Sequence, residues 1–137
     1  MKLTHLKHLA FIFLTVLPCF AFPSDSLPTI PGVPSIPGWV PLAADTKGKN
    51  FFYGKVDSFK INSNGLSLII QVISSGSSAE YVRAFISRNT CELGYGEMTI
   101  SSLSGKSIGN IDYVKGGLSL GSNMGDILCY TLENIGK

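Results

Sequence analysis

The stretch Asn64-Gly65-Leu66-Ser67-Leu68-Ile69-Ile70-Gln71-Val72-Ile73 decides the fold. Leu66, Leu68, Ile70 and Val72 recur at every second position. Side chains two apart share one face of an extended strand, so the spacing predicts a strand with one face committed to a core. The other face carries Ser67, Ile69, Gln71 and Ile73. Upstream, Phe51 to Ile61 reads as a second strand, and Asn64-Gly65 lies between the two. An Asn-Gly pair in that position predicts a hairpin with a type I′ turn, whose two central residues both take positive φ.

Working towards the C-terminus, Ala79 to Arg88 alternates Val82, Ala84 and Ile86 with Tyr81, Arg83 and Phe85, which predicts a third strand. Gly94 and Gly96 mark a turn or bulge. Glu97 to Leu103 forms a fourth strand, Ser104-Gly105-Lys106 a turn, and Ile108 to Val114 a fifth strand. Short links between successive strands imply an antiparallel meander. After Gly116-Gly117 the period changes: Met124, Ile127, Leu128, Thr131 and Ile135 fall on one helical face. Ser122 is the expected cap, Asp126 suits the first turn, and Gly136 is the expected stop. The expected fold class is therefore α+β, mainly antiparallel: a five- to six-stranded meander sheet with a C-terminal helix packed on one face.

Working the other way, Lys2 and Lys7 precede an apolar stretch from Leu9 to Phe22. At about 14 residues it is shorter than the ~20 a transmembrane helix needs but of normal length for a secretory signal core. Ala21 is the expected last residue before cleavage. Cys19 lacks the Leu and the small residue that a lipobox places before it, since Val16 and Pro18 stand there, so it leaves with the signal. The expected organisation is a signal peptide over 1–21, a proline-rich leader over 22–41 and one β-rich domain over 42–137. An exported protein of the periplasm, cell surface or medium follows from the signal, with no transmembrane segment after cleavage.

All seven prolines precede residue 42. Pro28, Pro31, Pro34 and Pro37 recur every third residue, matching a polyproline II turn, as do Ile30, Val33 and Ile36. A groove ligand, a spacer and a strap with an apolar edge to bury are the three readings. The spacer or strap is the expected one.

Cleavage strips the chain of chemistry. His5 and His8 both lie in the signal, so the mature protein has no histidine, neither as a base near neutral pH nor as a metal ligand. Of the 11 Lys and Arg two leave with it, so nine face nine Asp and Glu. A near-neutral chain without clustered cations is a poor partner for nucleic acid. Gly117-Leu118-Ser119-Leu120-Gly121 matches the G-x-S-x-G elbow, but its serine has no histidine to activate it. Asp57, Glu80, Glu92, Glu97 and Asp112 show no spacing that brings two carboxylates together for glycoside chemistry. No catalytic residue, cofactor or metal is expected. Cys91 and Cys129 survive as an even pair in an exported small domain and are expected to form a disulfide. Its loop of 38 residues is worth about 4 kcal/mol in the chain-entropy account. What remains for function is surface recognition, with Tyr81, Arg83 and Phe85 as candidate binding residues because exposed Tyr and Arg are enriched in binding hot spots.

Trp39 through Tyr53, Val56-Asp57-Ser58, the Asn64-Gly65 hairpin, Cys91 followed by Gly94-Tyr95-Gly96, and the late Cys129 together resemble the small bacterial proteins related to surface-adhesin protein E. The resemblance covers about residues 39 to 135. It implies an antiparallel sheet with a disulfide-tethered C-terminal helix, often as a homodimer, in an envelope protein that binds other proteins. The chain departs from that pattern in lacking a lipobox and in carrying the proline-rich leader. The expected function is thus non-enzymatic protein–protein contact of the adhesin kind. A periplasmic inhibitor or small-ligand carrier using the groove between helix and sheet is the alternative.

Overall fold

The structure is a computed structural model that describes residues 30–135. The expected signal peptide with Cys19, the expected leader up to residue 29 and the expected stop at Gly136 lie outside the described residues. The alternating stretch forms the long central strand β4 (Gly65–Ser74). It is preceded by β1 (Trp39–Ala44), β2 (Asn50–Lys55) and the two-residue β3 (Lys60–Ile61). After it come β5 (Glu80–Ser87), helix α1 (Arg88–Leu93), β6 (Tyr95–Ser101), β7 (Ser107–Val114) and helix α2 (Leu120–Ile135). The sheet order is β1-β2-β4-β5-β6-β7 with β3 also pairing β4, and every pairing is antiparallel. This is the expected α+β class with its antiparallel meander, C-terminal helix and disulfide. No helix among the described residues is long and apolar enough to cross a membrane.

The run Phe51–Ile61 is not one strand. A 3-10 turn at Val56–Ser58 interrupts it, leaving β2 and β3 along the same flank of β4. Ser58 mends the ladder: its Oγ donates to the Lys55 carbonyl at 2.7 Å and accepts the Ile69 N–H at 2.8 Å. That hydroxyl takes the place of the backbone carbonyl a continuous strand would have offered, and a buried N–H left unpaired would cost about 1–3 kcal/mol.

The hairpin exists, but its turn is not type I′. No non-glycine residue has positive φ, and Gly65 is not among the positive-φ glycines. The Asn62 N–H bonds the Gly65 carbonyl at 3.0 Å. The Asn62 side-chain oxygen accepts from the N–H groups of Asn64 at 2.8 Å and Gly65 at 3.1 Å. An Asx turn at Asn62 therefore reverses the chain. Gly65 is needed for a different reason: a Cβ there would collide with the Ile86 carbonyl of the neighbouring strand.

Between β5 and β6 the chain forms α1, where the sequence reading expected only a strand end and a glycine turn. Ser87 caps it, accepting the Thr90 N–H at 3.0 Å, and Gly94 ends it at φ 76° with its N–H on the Thr90 carbonyl. At six residues it is too short to show helical periodicity. Its function is placement, since it carries Cys91 towards α2.

Helix α2 begins three residues earlier than expected, and its cap is Ser119, not Ser122. The Ser119 Oγ accepts the Ser122 N–H at 3.0 Å. Ser122 is a buried helical residue whose Oγ accepts the Val114 N–H at 3.2 Å. The helix lays Met124, Leu128 and Leu132 on Leu42, Leu66, Leu68, Ile86 and Met98, each no more than 2 % exposed. Each such burial is worth roughly 1.5–3 kcal/mol. Ile135, expected on that face, is exposed. Gly121 and Gly125 let the helix approach closely, because a Cβ on either would strike the Asp112 carbonyl or the Tyr113 ring. Cys91 and Cys129 are bonded, with Cα atoms 5.3 Å apart. The tether joins α2 to α1, not to the end of the third strand itself.

The described part of the leader is a strap, but not polyproline II. Ile30-Pro31-Gly32-Val33 and Ile36-Pro37-Gly38-Trp39 each form a turn closed by the Val33 or Trp39 N–H on the Ile30 or Ile36 carbonyl, both at 3.1 Å. Gly32 and Gly38 sit at φ 80° and 79°. Proline at the second position and a positive-φ glycine at the third are the requirements of a type II turn, so each Ile-Pro-Gly triplet encodes one. This six-residue repeat was missed by reading the prolines alone. The strap runs into β1, which crosses the expected leader–domain boundary at residues 41 and 42. Pro41 is tolerated because β1 is an edge strand.

Candidate interaction surface

Antiparallel register decides which side chains meet on the face away from α2. Pro41 stands opposite Tyr53, Tyr53 opposite Gln71, and Gln71 opposite Tyr81. Opposed residues point to the same side, so these four form a row across β1, β2, β4 and β5. Trp39, also on this face, reaches over the two intervening strands to Tyr81, with ring centroids 6.1 Å apart and planes inclined at 45°. The separation and tilt suit an aromatic pair. Gln71 Nε2 donates to the Tyr81 hydroxyl at 3.3 Å, while its Oε1 is buried and makes no hydrogen bond among the described residues.

One end of the row is closed and the other open. Tyr53 is buried, and its hydroxyl donates to the Pro34 carbonyl at 3.0 Å, which pins the strap over β2. Burial raises its pKa above the ordinary tyrosine value. Val33 and Ile36 are half-buried whereas Pro31, Pro34 and Pro37 are exposed, so the apolar edge of the strap turns inward. Tyr81, in contrast, is 48 % exposed.

The three candidate binding residues share this open region. Arg83 lies one strand position beyond Tyr81 on the same face, opposite Ser101, and Phe85 follows, opposite Thr99. Both are half-buried and lie outside the core that packs under α2. Arg83 makes no ion pair among the described residues, where Lys55–Asp57 at 3.6 Å is the single one. The sequence reading placed Tyr81, Arg83 and Phe85 on one face but missed Trp39, Tyr53 and Gln71. Period-two alternation could have flagged Tyr53, whereas Trp39 depended on knowing that a strand starts inside the leader.

The other sequence motifs find different places. The Ser119 hydroxyl donates to Ser122 Oγ at 3.0 Å while capping α2, so the elbow motif is a helix N-terminus. Two carboxylates do come together, contrary to the spacing argument: Glu97 and Asp112 stand directly opposite on β6 and β7, both exposed. Asn110 Nδ2 donates to Glu97 at 3.0 Å. They lie on an open strand surface with no walls to hold a sugar. Among the described residues no group of three His, Cys, Asp or Glu could hold a metal ion.

The helix face offers less room. The space between α2 and the sheet is filled by the core side chains, and two open-sided clefts of about 340 and 310 Å³ flank the helix. The first is lined by the disulfide, Tyr113, Lys115, Asp126 and Tyr130. Two of its polar side chains engage each other: Asp126 accepts the Tyr113 hydroxyl at 3.0 Å and also the Gly116 N–H at 3.1 Å. Burial, and then the Asp126 carboxylate, push the Tyr113 pKa up to about 12.

No family model matches this chain, and neither the curated proteins nor the solved structures include one that is similar to it.

Proposed function

We propose that this is a non-enzymatic exported protein of the cell envelope or medium that works by protein–protein contact through the sheet face opposite α2. The observation that carries the reading is the open end of the aromatic row. Tyr81 stands there exposed, with Arg83 and Phe85 half-buried next to it, beside Trp39 on the face opposite α2. Aromatic side chains supply contact area at little entropic loss, and an unpaired guanidinium supplies a directed charge, the combination found at binding hot spots. The disulfide fits an oxidising compartment. An adhesin-like role, as in the proteins related to surface-adhesin protein E, is the specific form of the proposal, supported by the tethered C-terminal helix on an antiparallel sheet. The carrier reading has less support, because the core beneath the helix is filled.

Surface plasmon resonance against immobilised matrix and plasma glycoproteins tests the reading. Tyr81→Ala or Arg83→Ala should weaken whatever binding the wild type shows by at least about 30-fold, the hot-spot scale of 2 kcal/mol. Binding that survives the triple replacement of Tyr81, Arg83 and Phe85 by alanine would remove this face from the function.

A further inference from the structure

We propose that the end of the sheet where β6 begins and β7 ends is a membrane-contact tip, which inserts exposed apolar side chains into the interface of a lipid bilayer. It uses none of Tyr81, Arg83 and Phe85, and so adds to the contact reading without depending on it.

Ten large apolar or aromatic side chains are exposed among the described residues, and five of them gather around Lys115. Tyr95 and Val114 stand directly opposite each other on β6 and β7, at 61 % and 55 % exposure. The Lys115 N–H donates to the Gly94 carbonyl at 2.7 Å, which holds Leu93, the last residue of α1 and 53 % exposed, beside the same strand end. The Gly117 N–H on the Val114 carbonyl at 2.9 Å closes a turn that keeps Leu118 at this end. Tyr130 of α2 lines the cleft that Lys115 and Gly116 also line. Leu118 and Tyr130 are 95 % and 69 % exposed. Single surface apolar residues need no explanation, but five gathered at one end do.

Shape, size and charge decide what the group binds. Leu118 follows Gly116-Gly117 and touches almost nothing of its own fold. A fluid lipid layer accommodates such a projecting side chain, whereas a protein partner does so only with a matching pocket. Five side chains exposed to these extents present less than the ~800 Å² that a stable protein interface takes from each partner. Leucine and valine with tyrosine and lysine is also the composition of membrane interfaces. There apolar chains enter the acyl boundary, tyrosine rings sit at headgroup level and lysine stretches its amine to water.

The charges set the depth and the lipid preference. Glu97 and Asp112, one opposed pair further along β6 and β7, are exposed about 7 Å behind Tyr95 and Val114, which limits the tip to shallow insertion. Exposed Glu92 adjoins Leu93, and exposed Glu133 shares the cleft with Lys115. The tip therefore has no surplus positive charge to seek anionic lipid, and its attraction is apolar.

Vesicle co-sedimentation of the mature protein tests the assignment. With phosphatidylcholine vesicles, half of the protein is expected to be bound at about 0.1–1 mM lipid, the scale of a single acyl chain or somewhat weaker. Adding phosphatidylglycerol, or raising the salt to about 0.5 M, should shift that midpoint less than about threefold. Leu118→Ser should weaken binding at least about tenfold, because burying a leucine is worth that much or more. Leu118→Trp should retain binding, with a blue-shifted emission that brominated phosphatidylcholine quenches. Leu118 is too exposed for either change to remove a folding contact, and circular dichroism melts verify this. Replacing Tyr81, Arg83 and Phe85 together by alanine should leave vesicle binding unchanged. No binding at about 5 mM lipid, fiftyfold above the expectation for one acyl chain, would overturn the proposal. So would equal binding by Leu118→Ser, or binding that needs phosphatidylglycerol and disappears in salt. A lipid-free dimer that depends on Leu118 would give the tip to a second copy and also overturn it. None of these results bears on the contact reading of the open face, which the alanine variants test against protein ligands.

Discussion

The two faces of this sheet are built from the same alternating strands yet reach opposite ends. On one, Leu66, Leu68 and Ile70 disappear under α2, and a disulfide keeps the helix there. On the other, Ile69, Gln71 and Ile73 remain half-exposed, and among the described residues the cover there is a proline–glycine strap fixed by one side-chain hydrogen bond at Tyr53. The difference teaches that amphipathic alternation assigns a core side only when a neighbouring element arrives to cover it. Here α2 covers one face, and among the described residues the strap covers only part of the other.

Four measurements break or sharpen that contrast. The largest effect belongs to the closed face: Cys129→Ser should lower stability by about 2–5 kcal/mol, the range for removing a native disulfide from a small domain. Denaturant melts read it, and thiol titration of the denatured mature protein should find no free thiol in the wild type. Gly125→Ala comes next. Its new methyl group would collide with the Tyr113 ring, and overpacking of that kind costs about 1–3 kcal/mol. A mutant with an unchanged midpoint would mean that α2 sits further from the sheet.

The third test uses pH. An unfolded tyrosine ionises near 10, whereas folded Tyr113 holds its proton to about 12. Between those values the unfolded chain binds fewer protons, so this contribution to stability is fully present below pH 10 and is lost as pH rises to about 12. Tyr113→Phe should show a shallower decline in that window than the wild type, and equal slopes would refute the assignment. The smallest effect is expected on the open face. Tyr53→Phe removes the hydrogen bond to Pro34, about 1 kcal/mol. Hydrogen exchange at residues 33 to 39 should accelerate in it while the core amides of β4 do not change.

Much of the fold was legible in the chain. Alternation in β4 and β5, short turns and the shift to helical spacing after Gly117 were enough for the meander and its terminal helix. What escaped has a common cause. Helix α1 and the break at Val56–Ser58 are shorter than the window in which periodicity can be seen. The true cap of α2 and the Asx turn at Asn62 rest on one or two side-chain hydrogen bonds that compete with equally good local alternatives. Tyr81, Arg83 and Phe85 were legible as one face, but whether that face was covered was not.

The sequence by itself determined the class of fold, because period-two and helical hydrophobic spacing follow from backbone geometry alone. It also determined that both histidines and one of the three cysteines precede residue 22, which leaves Cys91 and Cys129 as the two cysteines of the β-rich domain. Only the tertiary structure decided that Trp39 meets Tyr81, that Glu97 opposes Asp112, and that Arg83 stands apart from both carboxylates. Those relations depend on strand register and on which face the helix takes, and both are set by contacts between residues far apart in the chain.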